Sequence, residues 1–420
     1  MGARIQSVTA REIFAARNNL CLEVTVTTDT GAVGVSTPEA GVSTGKYEAA
    51  FVLDGEDRYD GMGVRKAAAN INDLIGPALR GIDVTHQHEV DAAMIALDGT
   101  PAKSRLGANA TVGVSLAAVK AAANSQGTPL YRYIGGFNAC VVPIPILGIG
   151  TGGRYRDPGT SRWYKPSYEF CPYGAGSYEL AMEWGHFLKK QLNSILRARY
   201  GYAVQGGRGL SLAGVLKDDR ELLDAMTQAI VQVGLEGKCG LYFDAAAGCY
   251  YEPDIDRYVG IFSESERSRE QMVQVYQAMV RDFPILSIED PLDEEDFEGH
   301  GIITRELGIE IVGDDLFTTH ADRVQMGIEH RAANSMVLKI SQVGTVSEAM
   351  DAVRLCQQHG YNVHPCGSRG DVDSIADFAV GLNAGQARAF AGNRLLAIEQ
   401  ELGTGARWLG RAAYKTGPVA

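Results

Sequence analysis

The segments ILSIEDP (285–291), IEIVGDD (309–315) and MVLKIS (336–341) decide the fold of this chain. Each is a short apolar run that ends in a charged residue, which is typical of a buried parallel strand with a polar group at its carboxyl end. The segments are evenly spaced, at about the length of one strand-plus-helix unit. The sequence therefore predicts consecutive strands of a parallel sheet whose connections are helices.

The charged residues at these strand ends are the first candidates for a functional site. They are Glu289, Asp314 and Lys339, and the earlier run GLYFDAA (240–246) ends in the same way at Asp244. Three carboxylates suit a hard divalent cation such as Mg²⁺. A lysine beside a cation loses its proton more easily and can act as a base. The alternative is that these residues only cap helices or pair with nearby lysine and arginine.

Composition limits the classes of function. The chain has 420 residues, so two domains are expected, and 45% hydrophobic with 21% charged residues is ordinary for a globular enzyme. A formal net charge of −12 argues against nucleic-acid and membrane-surface partners. The seven cysteines are scattered without a CxxC pair, which indicates reduced thiols and a cytoplasmic location. We find no apolar run long enough to span a bilayer.

The order of the elements predicts an α/β fold in two parts. Alternating residues before position 30 predict a strand pair, and helical patterns follow at 66–81 and 107–127. Glycines and prolines near 136–148 interrupt this pattern, so we expect an α+β domain over 1–138 and a second domain over 139–420. Strands and amphipathic helices alternate in the second domain, as in a (β/α)8 barrel with its active site at the carboxyl ends of the strands.

The chain resembles the enolases over nearly its whole length. The segments that carry the resemblance are AREIFAAR (10–17), GVSTGKYEA (41–49), LDGTPAKSRLGANATVGVSLAAVKAA (97–122), TPLYRYIGG (128–136), SIEDP (287–291), IVGDDL (311–316), LKISQVGTVSEAMDA (338–352), IADFAVGLNAGQ (375–386) and AIEQELG (397–403). The resemblance implies an α+β cap on a modified (β/α)8 barrel, dependence on Mg²⁺, and a homodimer or higher homo-oligomer.

The resemblance also implies roles for individual residues. Asp244, Glu289 and Asp314 match the ligands of the structural Mg²⁺, and Lys339 matches the base that removes the proton next to a carboxylate. Two further matches are Ser43, in the loop that closes over the substrate, and Glu169, one of two facing glutamates.

Four segments depart from the enolase pattern. VQGGRGL (204–210) places Gly207 and Arg208 where the family has an acidic GDEGG segment, and GGRYRDPG (152–159) places Tyr155 where the family has a histidine. CGSRG (366–370) lacks the histidine of SHRSG, although Ser368 and Arg369 are expected to hold an anionic group. The shortened segment 389–399 places Ala391 or a neighbour where the family has a second lysine.

A basic and aromatic segment offers a replacement for the lost groups. Residues 151–170 contain Arg154 and three further basic side chains among five aromatic ones. Arginine binds phosphates through two parallel hydrogen bonds, and aromatic faces stack on bases. We expect Arg154, Tyr155 and Arg208 to bind a small anionic substrate, with a cytidine nucleotide conjugate as one candidate. A solvated surface loop is the alternative, and the GxGxxG match at 148–153 is expected to form a barrel-mouth loop.

These departures favour one function and leave two alternatives. The favoured reading is a Mg²⁺-dependent enolase relative of phosphonate antibiotic biosynthesis. It would transfer a phosphonoformyl group from a CMP-activated donor to an enolpyruvate-type acceptor. The first alternative is a phosphopyruvate hydratase with rearranged loops, which converts 2-phosphoglycerate to phosphoenolpyruvate. The second is a catalytically silent, enolase-like binding protein.

Overall fold

Two hydrophobic cores organise the chain, which a computed structural model describes over residues 2–15, 19–40, 45–55, 57–153, 155, 165–201, 210–388 and 392–419. The smaller core lies under the N-terminal sheet and the helices that follow it. The larger core fills the space between the barrel strands and the outer helices. The α/β fold expected from the sequence is confirmed.

The N-terminal part is a three-stranded antiparallel sheet covered by helices. Its sheet has the order β1-β2-β3, and a π-helical turn joins α1 to α2. The elements are β1 (Ile5–Phe14), β2 (Leu20–Thr28), β3 (Val33–Ser36), α1 (Arg65–Asn70), α2 (Gly76–Leu79), α3 (Gln87–Asp98), α4 (Ala108–Ser125) and α5 (Leu130–Gly135). Helix α4 is rich in alanine and buried along most of its length, so it contributes to both cores.

The C-terminal part alternates strands and helices around a ring. Its strands are β4 (Ile144–Pro145), β5 (Leu147–Thr151), β6 (Ser167–Cys171), β7 (Leu210–Ser211), β8 (Gly240–Asp244), β9 (Tyr251–Glu252), β10 (Arg257–Val259), β11 (Glu266–Arg267), β12 (Ile285–Glu289), β13 (Glu310–Gly313), β14 (Ser335–Leu338), β15 (Asn362–Pro365) and β16 (Gln386–Ala387). Its helices are α6 (Tyr178–Tyr200), α7 (Arg220–Val233), α8 (Arg269–Asp282), α9 (Phe297–Leu307), α10 (Ala321–His330), α11 (Ile340–Val343), α12 (Val346–Gln358), α13 (Val372–Gly381) and α14 (Gly392–Leu402).

The strand pairings continue around the barrel. One sheet has the order β15-β14-β13-β12-β8-β6-β5-β7, with β6 antiparallel to both β5 and β8. A second pairing joins β16 to β4, and a bridge from Cys366 to Arg388 connects the end of β15 to the end of β16. Strand β8 and strands β12 to β15 run parallel, so their carboxyl ends meet at one mouth. Gly148 and Gly150 lie in β5, so the expectation that this glycine segment forms a loop was wrong there.

The turn between α11 and α12 joins the two parts of the molecule. The backbone N–H of Ser347 donates to Asp91 Oδ2 of α3 at 2.9 Å, and that of Val346 donates to Ser115 Oγ of α4 at 2.9 Å. All four residues are buried. The first turn of α12 is therefore satisfied by side chains of the N-terminal part.

A buried polar network lies inside the barrel around Glu310. Its carboxylate accepts hydrogen bonds from Ser287 Oγ (2.6 Å), Gln386 Nε2 (2.7 Å) and Asn362 Nδ2 (2.6 Å), and His364 Nε2 lies 3.3 Å away. Burial raises the pKa of Glu310, but His364 and these donors outweigh it, so the pKa lies below its usual value. His364, which lies close to the segment 366–370 that lacks the family histidine, therefore belongs to this internal network.

Replacing Glu310 by glutamine should lower the free energy of unfolding by about 3 kcal/mol near pH 7, because an amide meets donors that need an acceptor. A carboxyl with a lowered pKa stabilises the fold above its unfolded pKa and loses that effect on acidification. The difference between the two proteins should therefore shrink as the pH falls below the unfolded pKa of about 4.5 and through the lower pKa of the folded state. Urea unfolding at several pH values measures it. A constant difference would contradict the assignment.

Candidate active site

The carboxyl ends of the parallel strands bring the predicted charged residues to one mouth. Asp244 ends β8 and Glu289 ends β12, and these two residues are register partners. Asp314 and Lys339 follow β13 and β14 directly. All four are buried. The even spacing in the sequence thus corresponds to adjacent strands of one sheet.

Lys339 and Asp314 form a buried ion pair. Lys339 Nζ donates to Asp314 Oδ2, and Gln342 Nε2 donates to the other oxygen, Oδ1, at 2.8 Å. Burial disfavours the charged form of Lys339, but the Asp314 carboxylate outweighs it and holds the lysine pKa above its ordinary value. Burial likewise raises the pKa of Asp314, and Lys339 more than compensates, so that pKa is lowered. In this arrangement the lysine carries its proton.

Arg388 lies among the remaining carboxylates. Its guanidinium is 3.2 Å from Glu289 Oε2 and 3.4 Å from both Glu169 Oε1 and Asp244 Oδ2. The guanidinium also lies over the ring of Tyr242, with its carbon 5.0 Å from the ring centroid. Sequence reasoning missed Arg388, because it looked for a second cation near Ala391, which lies outside the described residues. A basic residue directly after the short strand β16 was the available signal.

Glu169 is a fully buried carboxyl group in the middle of β6. It accepts a hydrogen bond from Ser167 Oγ at 3.0 Å. Burial raises its pKa, although Arg388 and Lys165 oppose the effect. A raised pKa favours the neutral acid, the form that can donate a proton.

Several carboxylate oxygens of the site have no hydrogen-bond partner within the described ranges. They are Glu169 Oε2, Asp244 Oδ1 and Glu289 Oε1, each buried. Buried carboxylate oxygens without partners are costly and fit a site that takes a cation. Oxygen atoms of Glu289, Asp290 and Asp314 also lie within 4.8 Å of one another. The donor set therefore suits a hard divalent cation.

Asp290 is less suited to bind metal than its neighbours. Its oxygens accept hydrogen bonds from the backbone N–H groups of Asp314 (3.0 Å), Asp315 (2.8 Å) and Leu316 (3.4 Å). Its carboxylate oxygens are thus already used to hold the turn after β13. Asp244, Glu289 and Asp314 therefore stay our predicted metal ligands.

The predicted substrate-binding residues are only partly described. Ser43, Arg154 and Arg208 lie outside the described residues, as does Gly207. Arg369 NH1 donates to Glu48 Oε2 at 2.7 Å, and Ser368 Oγ lies 3.3 Å from the Cys366 thiol sulfur. Arg369 thus ties the segment at 45–49 to the barrel mouth, and its role toward substrate remains a prediction.

Tyr155 is held by a buried carboxyl group. Asp219 accepts hydrogen bonds from Gly153 N (2.6 Å), Tyr168 Oη (2.7 Å) and Tyr155 Oη (3.3 Å). A Cβ atom at Gly152 would lie 2.1 Å from Asp219 Oδ2, so only glycine fits there. Asp219 therefore fixes the backbone that follows β5.

Replacing Asp219 by asparagine should change how stability depends on pH. Burial raises the pKa of Asp219 from 3.8 to about 7, so the folded state keeps a proton that the unfolded chain loses. Its contribution to stability should fall as the pH rises from about 4 to about 7, by on the order of a few kcal/mol at about 1.4 kcal/mol per pKa unit. Urea unfolding at pH 5 and pH 8 should show this fall in the wild type and a smaller one in Asp219→Asn. If the free energy of unfolding changes by the same amount between pH 5 and pH 8 in both proteins, Asp219 does not carry a proton in the folded state.

A barrel mouth that carries carboxylates, a lysine and a buried acid is typical of an enzyme of acid–base chemistry. Comparisons with known proteins narrow this class. Residues 5–134 match the model of the enolase N-terminal domain, and residues 139–416 match that of the enolase C-terminal TIM barrel domain. The chain belongs to the enolase family.

Similar proteins with curated names share nearly the full length. The proteins named Enolase from Methanocaldococcus jannaschii and Methanopyrus kandleri are 41% and 42% identical, over 95% of this chain and 96% of each relative. Enolase from Corynebacterium kroppenstedtii is 40% identical over 98% of this chain and 99% of its own.

These relatives overturn the favoured reading of the sequence. The prediction of phosphonoformyl transfer, the reaction of a carboxyphosphonoenolpyruvate synthase, was wrong, and so was the transferase class. The comparisons indicate a lyase and favour the hydratase alternative instead. The error arose because loop departures at 152–159, 204–210 and 366–370 were given more weight than near full-length similarity.

Among the described helices, none combines the length and apolar character needed to cross a membrane.

Proposed function

We propose that this protein is a Mg²⁺-dependent phosphopyruvate hydratase, which converts 2-phosphoglycerate to phosphoenolpyruvate and water. The observation that carries the proposal is identity of 40–42% with proteins named Enolase over nearly the whole chain. The buried carboxylate and lysine geometry at the barrel mouth supports it.

Mg²⁺ would be held by Asp244, Glu289 and Asp314. When bound there, the ion would neutralise Asp314 and the negative charge that develops on the substrate carboxylate. Sites of the enolase superfamily commonly combine Mg²⁺ with a lysine or histidine base. The unpartnered oxygens of Asp244 and Glu289 support this choice of ligands.

The proposed reaction divides between Lys339 and Glu169. Lys339 carries a proton in its pair with Asp314 and first releases it to solvent. The neutral amine then takes the proton from C2 of the substrate, and its Nζ becomes an ammonium group. The C2 electron pair forms the C2–C3 double bond as the C3–O bond breaks. Glu169, whose raised pKa favours the protonated form, donates its proton to the departing hydroxyl, which leaves as water. Lys339 gains one proton and Glu169 loses one, so the protons and charges of the step balance between these two residues.

Arg388 and Arg369 are the cations proposed to face the anionic groups of the substrate. Arg388 already contacts Glu169, Asp244 and Glu289, so its guanidinium lies next to both the acid and the proposed metal ligands. Small anionic substrates and a homo-oligomeric state remain proposals, which substrate kinetics and light scattering would test.

A proton and phosphorus NMR time course with 2-phosphoglycerate in D₂O tests the function. With Mg²⁺, the wild type should form phosphoenolpyruvate, and removal of Mg²⁺ by a chelator should stop it. If no phosphoenolpyruvate forms at saturating Mg²⁺, the proposal fails. A protein that binds Mg²⁺ and 2-phosphoglycerate without turnover would favour the silent binding protein.

A further inference from the structure

Lys165 is a third cation at the proposed metal site, besides Lys339 and Arg388, and its carbonyl group is held in place. Its carbonyl oxygen accepts a hydrogen bond from the hydroxyl of Tyr250. Strand β6 begins two residues later at Ser167, which is the register partner of Asp244 in β8. The side chain of Lys165 therefore starts beside the carboxyl end of β8.

The ammonium group of Lys165 reaches the carboxylate of Asp244. Nζ contacts Asp244 Oδ2, while Oδ1 of the same carboxylate is buried without a partner in the described part of the chain. Lys165 is one of the basic residues of the segment 151–170, which the sequence offered as an anion-binding pocket or as a solvated loop. The structure directs it instead to a carboxylate that we assign to the metal.

Lys165 and Arg388 differ in how firmly they are held. Arg388 faces three carboxylates and covers the ring of Tyr242. Within the described residues, Lys165 contacts one carboxylate, that of Asp244, although the two side chains are exposed to a similar degree, 16% for Lys165 and 13% for Arg388. A lysine is a point charge on a flexible four-carbon stem, so it can withdraw toward solvent more easily than a guanidinium fixed on several sides.

We propose that Lys165 is a tethered cation that competes with the metal ion for Asp244 and thereby sets the metal affinity of the site. The inference rests on the proposed function, because it assumes that Asp244 is a metal ligand. In the absence of metal, Lys165 and Arg388 together compensate the buried charge of Asp244, and Lys165 is the more flexible of the two cations. A metal ion that enters must displace this ammonium group, so part of its binding free energy is lost.

The experiment measures binding of Mn²⁺, a paramagnetic substitute for Mg²⁺, by electron paramagnetic resonance. Lys165→Met keeps the length of the side chain without the charge, and Lys165→Gln keeps a polar end without the charge. Both should bind Mn²⁺ about tenfold more tightly than the wild type, the change expected when an ion pair of ordinary strength need not be broken. Lys165→Arg keeps the charge and should bind Mn²⁺ about as weakly as the wild type.

A matched control separates this effect from a general change of charge. Lys238→Met removes an exposed lysine that precedes the opposite end of β8, and it should leave Mn²⁺ affinity unchanged. If the wild type is an active hydratase but Lys165→Met and Lys165→Gln bind Mn²⁺ no more tightly, the competition is refuted and the function stands. If no variant binds Mn²⁺ and the wild type is inactive, both are refuted.

Discussion

Lys339→Met should reduce the rate of phosphoenolpyruvate formation by about three powers of ten, the usual contribution of a positioned general base. Methionine nearly preserves the volume of the buried lysine stem but removes the amine. Since Lys339 is the proposed acceptor of the C2 proton, the variant should also lose exchange of that proton with D₂O. NMR measures both quantities in one time course.

The control for this variant concerns the charge it leaves behind. Asp314 loses its ammonium partner, and a buried carboxylate without a partner destabilises the fold. Circular dichroism and a thermal transition with Mg²⁺ present would establish that Lys339→Met is folded. A folded variant that still exchanges the C2 proton at the wild-type rate would exclude Lys339 as the base.

Glu289→Gln should weaken metal binding by more than about a hundredfold, since loss of a hydrogen-bond partner of a metal ligand alone typically costs 10- to 100-fold. The substitution replaces one charged oxygen by an amide, which is a poor ligand for a hard cation. Glu289 is fully buried and its Oε1 has no partner in the described ranges, so solvent cannot compensate. Calorimetric titration with Mg²⁺ measures the affinity directly.

Tyr242→Phe is the matched control for Glu289→Gln. The Tyr242 hydroxyl donates to Glu289 Oε2, so its removal disturbs the same carboxylate without changing its charge. This control should lower metal affinity by about 10- to 100-fold, less than Glu289→Gln does, because it removes only an outer hydrogen bond. If both variants lose affinity equally, orientation rather than the charge of Glu289 determines binding.

The strand ends could be predicted from the sequence because their pattern is local. Apolar runs that end at Asp244, Glu289, Asp314 and Lys339 form buried strands, and parallel strands with helical crossovers carry their ends to the same side. No long-range information is needed to place them at one mouth. The prediction of their common location was therefore sound, although their roles in metal binding and catalysis remain to be tested.

The partners of these residues could not be predicted in the same way. Arg388 and Lys165 reach the carboxylates from segments with no periodic pattern, and which carboxylate each one contacts depends on how loops return to the mouth. The same limit explains the wrong function. Loop registers at 204–210 and 366–370 are not fixed by periodicity, so a residue missing from a motif in the sequence need not be missing from the site.

The first turn of α12, which is bonded to Asp91 and Ser115, couples the unfolding of the two parts of the molecule on heating. The short helix α11 follows Lys339 directly, and the first turn of α12 after it donates its buried N–H groups to side chains of the N-terminal part. Loss of either part would leave buried donors or acceptors without partners in the other. The two parts should therefore melt cooperatively, in a single calorimetric transition, and the barrel alone should have neither a stable α12 nor a well-ordered lysine at its mouth.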